Sequence, residues 1–364
     1  MAKTIKITTM TFKKELEELL ASTILSSNSS IEEYCSVWER INKTLIPNIP
    51  PQLFRFRTCN LDSLIAFQKG EITTCVAYAF KDKYDSLVYV DKTGLENKIR
   101  ELLKLETLRE ALNNESICKL FDKIAGKDFI TRLAKELLQC SDEEWGNILG
   151  MSDGVIKQIL SLIDQNVDNI RSDSFSRIAC FTENVKSLRM WDTYTEGYRG
   201  FALEYDFRDF HQRGCWTCSN NNICQYEKRN FSHLFPIIYT DKRYDATDNV
   251  ANLVARSLTS GLDMDGILPI DQLYWYKPYL YKNAESYAHE KEWRLISHCP
   301  IHGKEEFANI SDCGTLKAIY YGPHIEKRYK DFLSEIAKLK KIQEYDVYID
   351  PYSPDFEPKI KPCQ

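Results

Sequence analysis

The stretches of strand character in this chain are short, chemically lopsided and separated by helical stretches of unequal length. That arrangement restricts the fold more than any other feature. In Leu53-Phe-Arg-Phe-Arg57 aromatic rings alternate with guanidiniums, so an extended backbone puts Arg55 and Arg57 on one face and Phe54 and Phe56 on the other. In Tyr287-Ala-His-Glu-Lys-Glu-Trp-Arg-Leu-Ile296 the same rule puts Glu290, Glu292 and Arg294 on one face and Lys291, Trp293 and Leu295 on the reverse. Strand character also marks residues 71–79, 176–182, 201–206, 236–239 and 316–321. Helical periodicity marks the first 46 residues, with a Ser-rich break at 26–30, and then 61–69 closed by Gly70, 190–194, 249–260 and 326–340. Strands interrupted by helices of such different lengths predict an α+β fold with a mixed or antiparallel sheet rather than a doubly wound one.

The predicted organisation follows. Residues 1–46 form an N-terminal helical segment, with Leu16, Leu19 and Leu20 on one helix face and Tyr34, Val37, Trp38 and Ile41 on the next. Pro47, Pro50 and Pro51 end helical structure, and 47–94 begin the α+β core. Leucines and isoleucines at three- and four-residue spacing make 95–175 a helical insertion. Residues 176–325 complete the core and carry a polar, cysteine-containing loop at 208–231, and 326–364 are a C-terminal helix and tail.

Composition excludes some functions. With 48 Lys and Arg against 53 Asp and Glu, a net charge of -5 argues against nucleic-acid binding through an overall basic field. The first 20 residues lack a continuous apolar stretch, and no apolar run reaches the ~18 residues of a membrane span. The expectation is a cytoplasmic protein without membrane association. Twelve cysteines dispersed over 364 residues read as reduced thiols rather than a disulfide framework. The exception is His211-Gln-Arg-Gly-Cys215-Trp-Thr-Cys218 followed by Cys224. Two cysteines three apart can offer thiolates to one structural zinc, with Cys224 and His211 or His233 completing a tetrahedron. A second Cys-x-x-Cys half is absent, and a loop of free thiols is the alternative. There is no Gly-x-Gly-x-x-Gly turn, no Walker-type loop and no His-Glu-x-x-His helix.

Three blocks carry a resemblance: Leu53 to Asp85, Ile178 to Asp206 and Tyr287 to Ile296. Ile178-Ala-Cys-Phe-Thr-Glu, Met190-Trp191 with Tyr194, and Gly200-Phe-Ala-Leu-Glu-Tyr-Asp206 are similar to the Cys-Phe-Ser, Met-Trp-x-x-Tyr and Gly-x-x-x-Glu-Phe-Asp run of the bacterial family termed domain of unknown function 2971. The segment 287–296 resembles its Tyr-x-x-Glu-Lys-Glu-Trp-Arg signature. Phe80-Lys-Asp-Lys-Tyr-Asp85 keeps Asp82 and Asp85 of the family's Phe-Asn-Asp-Pro-Phe-Asp but lacks the proline. At motif level the first block also looks like the opening of ADP-ribosyltransferase folds, with an arginine strand, a helix and a glycine-led strand bearing Thr73-Thr74. Glu290-Lys-Glu292 would then supply the closing Glu-x-Glu. The resemblance implies NAD as substrate, its ADP-ribose passing to a protein or nucleic-acid acceptor or to water as nicotinamide leaves, in a protein of toxin or anti-phage defence type.

Under that reading Glu292 stabilises the cationic sugar and Glu290 acts as general base. Arg57 or Arg55 holds the diphosphate, Thr74 lies at the strand end, and Trp191 or Tyr194 stacks on nicotinamide or adenine. Core packing competes for Trp191 and Tyr194, and cross-strand ion pairing for the charged residues. Glu204, on a strand whose other face carries Phe201, Leu203 and Tyr205, reads as solvent-facing. Two other functions remain open: a metal-dependent nuclease using Asp82, Asp85 and Glu292, and a non-enzymatic sensor whose regulatory partner binds the helical insertion.

Overall fold

The computed structural model describes residues 2–26, 29–82, 84–102, 139–144, 147, 157, 160–161, 176–209, 231–258, 271–298, 307–310 and 314–363. The chain opens with helices α1 (Ala2–Ser22) and α2 (Ile31–Leu45). Ser30 starts α2 with a capping box: its side chain accepts from the Glu33 N–H while the Glu33 carboxylate accepts from the Ser30 N–H. Strand β1 (Leu53–Arg57) follows, then α3 (Leu61–Lys69), capped by Asn60 and closed by Gly70 at φ 75°, and β2 (Ile72–Cys75). The strand expected over 71–79 is shorter, because the backbone turns into a single 3-10 turn at Ala77–Ala79.

Helix α4 (Lys92–Leu102) begins the expected insertion; most of that insertion lies outside the described residues. Then come β3 (Ser176–Thr182), α5 (Leu188–Tyr194), β4 (Phe201–Asp206), β5 (Phe231–Pro236), β6 (Ile238–Thr240) and α6 (Thr247–Leu258). The last part holds β7 (Tyr281–Asn283), α7 (Ala284–Tyr287), β8 (Glu292–His298), β9 (Phe307–Ile310), β10 (Thr315–Tyr321), α8 (Lys327–Lys340), β11 (Gln343–Tyr348) and β12 (Lys359–Pro362). The tail expected after α8 is therefore two further strands of the sheet.

The fold is α+β, with a mixed and mostly antiparallel sheet. Its long path runs β12-β11-β10-β4-β1-β3-β2-β9. The β10–β11 pair, connected through α8, is parallel; β4 pairs antiparallel with β10 and β1. Strand β3 is where the sheet divides. Along one edge it pairs with β8 from Ser176↔His298 to Thr182↔Glu292, and β8 in turn pairs with β5. Its other edge is shared: β1 joins through Phe54↔Thr182 and β2 through Cys75↔Ile178. The two strands fork from one partner.

The main core gathers Leu16, Leu20, Trp38 and Ile41 of the N-terminal helices with Leu53, Phe181, Phe235, Trp293 and Leu295 of the sheet, and Phe12 stacks on Trp293 at 6.3 Å. A second cluster on Phe54 and Phe56 holds Trp191, Ala202 and Tyr320. Glu204 faces this second cluster and is buried, not solvated: it accepts from Tyr320 Oη at 2.6 Å and Gln52 Nε2 at 2.9 Å. Among the described residues no helix is long and apolar enough to cross a membrane.

Candidate functional site

Two groups of charged side chains meet near the fork. The first is a buried ionic cluster. Glu292, first residue of β8, accepts from Arg294 Nε at 2.8 Å and from Lys282 Nζ at 2.9 Å. Arg294 turns its two terminal nitrogens onto both Asp85 oxygens, at 2.8 and 2.6 Å, and donates to the Tyr279 carbonyl at 2.8 Å. Lys282 also contacts Glu290 at 2.6 Å and Asp85 at 3.8 Å, and lies over the Tyr287 ring at 4.3 Å. All five charged groups are buried. Such a set is held only by mutual pairing, since each ion alone would cost several kcal/mol to desolvate.

Glu292 and Arg294 share a strand face as the alternation requires, but Glu290 does not belong to that strand. It ends a 3-10 turn, Ala288–Glu290, and Lys291 takes a left-handed conformation at φ 45° before β8 begins. Glu290 reaches the cluster by this turn instead. Its carbonyl accepts from Thr182 Oγ1 at 2.5 Å and its carboxylate from Tyr194 Oη at 2.9 Å. The Glu292 N–H is taken by Tyr239 Oη at 2.8 Å.

The electrostatics follow from this packing. Burial opposes ionisation of Glu292, but the Arg294 and Lys282 charges outweigh it and set its pKa at about 2. Burial likewise works against the Lys282 ammonium, and its carboxylate neighbours, Glu292 foremost, reverse the effect and raise its pKa. The Tyr194 phenol is pushed up by burial and by the Glu290 charge, so it stays a donor.

The second group is the arginine pair. Arg55 Nη2 donates to the Thr73 carbonyl across the fork, and its guanidinium lies 5.6 Å from the Phe181 ring, but Nη1 is buried without a hydrogen-bond partner. The Arg57 side chain makes no ion pair or hydrogen bond among the described residues. Both keep some solvent contact yet are deeply recessed. Burial lowers the Arg55 pKa, and burial with repulsion from Arg55 brings Arg57 down to about 9. Cys75 lies between the groups: burial raises its thiol pKa, and Arg55, Arg294 and Arg57 all pull it back. Cys180 hydrogen-bonds Glu292 from the next strand. Gly200 sets how close β1 comes, because a Cβ there would lie 2.0 Å from the Arg57 carbonyl oxygen.

The other expected site residues fall as follows. Trp191 is 0 % exposed, donates from Nε1 to the Val185 carbonyl at 2.7 Å and meets Phe56 edge-on at 4.9 Å. It is core, and no ligand can stack on it. Tyr194, 40 % exposed, keeps an accessible ring. Thr74 is buried in β2 opposite Ala308. Cys215, Cys218, Cys224 and His211 lie outside the described residues. His233, the alternative fourth ligand, is buried on β5, stacked on Trp38 at 4.0 Å with Nδ1 2.9 Å from Tyr276 Oη. Among the described residues no group of three or more His, Cys, Asp or Glu is arranged to hold a metal ion.

Lys282, the hub of the cluster, was not singled out from the sequence. Its signal was there: it follows Pro278-Tyr-Leu-Tyr281, and a lone cation in an apolar run needs a carboxylate when it is buried.

Residues 190–295 match the family model described as "Protein of unknown function (DUF2971)". That span contains Lys282, Glu290, Glu292 and Arg294 but neither Asp85 nor the arginine pair. No curated protein and no solved structure matches the chain.

Proposed function

We propose that the Arg55–Arg57 pair binds the diphosphate of a nucleotide and that the chain cleaves the nicotinamide–ribose bond of NAD, as an ADP-ribosyltransferase or NAD glycohydrolase. One observation carries this reading: two adjacent, recessed guanidiniums make no ion pair among the described residues, Asp62 acting on Arg57 only through space, and Arg55 has a buried nitrogen without a hydrogen-bond partner. Buried charge is normally paired. A diphosphate would supply acceptors for both forks and remove their mutual repulsion.

In the reaction the bond between ribose C1′ and the nicotinamide nitrogen breaks, and its electron pair leaves with nicotinamide. Positive charge develops on the sugar, and an acceptor oxygen or nitrogen, or water, bonds to C1′ and loses a proton. Glu292 is a fixed negative charge at neutral pH and too weak a base to take that proton. Its role is electrostatic, and removing such a group costs ~3 to 4 kcal/mol of transition-state stabilisation. Glu290, at the outer end of the cluster beside the accessible Tyr194, is placed to receive the proton. The nuclease reading is less favoured, because the space between Asp85 and Glu292 is filled by the side chains of Arg294 and Lys282.

The test is nicotinamide release and label transfer from labelled NAD in cell extract, comparing wild type with Glu292→Gln. Release that falls with the substitution supports the reading, and the labelled fraction identifies protein, nucleic acid or water as acceptor. Absence of both release and NAD binding by wild type overturns it.

A further inference from the structure

Two exposed surfaces outside the charged site are chemically complementary. Helix α8 buries Leu333, Ile336 and Ala337, while Phe332 and Leu339, two turns apart on another face, are 42 % and 83 % exposed. Leu339 stands among Lys338, Lys340 and Lys341. The result is an apolar knob with an ammonium rim, in a chain whose net charge is -5.

The second surface is the β11–β12 connection, Ile349-Asp-Pro-Tyr-Ser-Pro-Asp-Phe-Glu-Pro358. Tyr352 and Phe356 are 94 % and 92 % exposed. The loop is nevertheless shaped. The Tyr352 N–H is held by Asp350 Oδ1 at 3.0 Å and the Glu357 N–H by Asp355 Oδ1 at 3.1 Å. Lys359 binds Asp355 at 2.8 Å, Glu357 reaches Lys186 at 3.5 Å, and three prolines restrict the backbone. Two aromatic rings displayed on a preorganised acidic loop are the parts of a docking element with little ordering entropy left to lose.

Loop and knob of one chain cannot meet. Lys341 closes α8 just before β11 begins at Gln343, whereas the loop leaves β11 after Tyr348, ~15 to 20 Å away at the rise of an extended strand. The loop end of β11 lies instead beside the start of the helix, where Lys330 binds Asp346 at 2.5 Å.

We propose that the 349–358 loop docks on the Leu339 end of α8 in a second copy of this chain, with Tyr352 and Phe356 around Leu339 and Asp350 and Glu357 against Lys338 and Lys341. Each copy offers one loop and one helix end, so two equal contacts close a two-fold dimer. The edge strand itself is not the contact, since Lys359, Lys361 and Pro362 blunt β12 against pairing with another strand. This assignment is independent of the nucleotide reading.

Sedimentation velocity on the full chain, from about 1 to about 200 μM, brackets the affinity of an interface at the small end of the usual size range. Wild type is expected to dimerise with a micromolar dissociation constant that weakens with salt. Leu339→Glu and the double variant Tyr352→Ala/Phe356→Ala should each weaken it at least ~10-fold. Lys341→Glu and Glu357→Lys should each weaken self-association, and an equimolar mixture of the two should recover it as a heterodimer, because every docked pair then brings opposite charges together. A wild type that is monomeric throughout the range overturns the proposal, whether or not it captures another protein. So does a dimer indifferent to the Leu339 and aromatic substitutions, or a charge-reversed mixture that does not recover.

Discussion

Replacing Lys282 with methionine is the most searching test of the buried cluster, because it removes one charge and keeps most of the volume. Among the described residues Lys282 is the only cation ion-paired with Glu290, at 2.6 Å, and it shares Glu292 with Arg294. With it gone, three buried carboxylates face a single guanidinium. Arg294 still holds Asp85 and Glu292, so the uncompensated charge falls on Glu290, whose other partner is the neutral Tyr194 phenol. Breaking one side of a buried pair costs ~3 to 5 kcal/mol, a large part of the ~5 to 15 kcal/mol that holds a domain together. Chemical denaturation at pH 7 reads that loss. The origin is identified by adding Glu290→Gln to Lys282→Met: the double variant should be more stable than Lys282→Met alone by ~2 kcal/mol, since it removes the orphaned charge. A Lys282→Met loss under ~1 kcal/mol, unchanged by the second substitution, would show that water already solvates the cluster and would refute its description as a closed ionic network.

Three further outcomes follow from the same geometry. The Glu292 pKa is depressed from 4.5 to about 2, so its contribution of ~3 kcal/mol is complete above pH 4.5 and lost as the pH falls towards 2; denaturation curves between pH 5 and 3 should fall more steeply for wild type than for Glu292→Gln, and parallel curves would contradict the assignment. Arg57→Met should raise the stability of the unliganded protein by ~1 kcal/mol, because it removes an unpaired, desolvated charge, while abolishing nucleotide binding in a thermal-shift titration; a destabilised variant that still binds would remove Arg57 from the site. Gly200→Ala forces a Cβ against the Arg57 carbonyl and should cost ~3 kcal/mol and weaken ligand binding with it, whereas unchanged stability and binding would mean that β1 and β4 can part without consequence.

Much of the site was legible where side-chain alternation operates alone. Arg55 and Arg57 share a face of β1, and Glu292 and Arg294 share a face of β8, as their spacing requires. Glu290 escaped because the left-handed turn at Lys291 carries no glycine or proline to mark it. Trp191 was ambiguous because a seven-residue helix has too few turns for periodicity to separate its buried side from its open one. Glu204 was misplaced by a sound rule with a missing premise: the sheet is covered on both faces there, and Tyr320 and Gln52 meet the carboxylate. Strands β11 and β12 were missed since Gln343-Glu-Tyr-Asp-Val-Tyr348 offers little apolar surface near a sheet edge. The cluster itself draws on Asp85, Lys282 and Glu290 from separate loops and strands, and no local pattern records that they converge.

The fork at β3 has a mechanical meaning as well as an electrostatic one. One half of the sheet, from β12 to β1, is sewn to the other by a single rung, Phe54↔Thr182, and β2 joins β3 by the single rung Cys75↔Ile178, while the β1–β4 and β3–β8 seams have several. Strain applied between the halves therefore concentrates at the Phe54↔Thr182 rung. The Arg55 guanidinium, reaching the Thr73 carbonyl on β2, spans the gap like a clasp on a seam left open by the weave. The compliance of the whole sheet is thus controlled at the place where the charges lie, and an anion gripping both arginines would stiffen the molecule along the line where the backbone is least stitched.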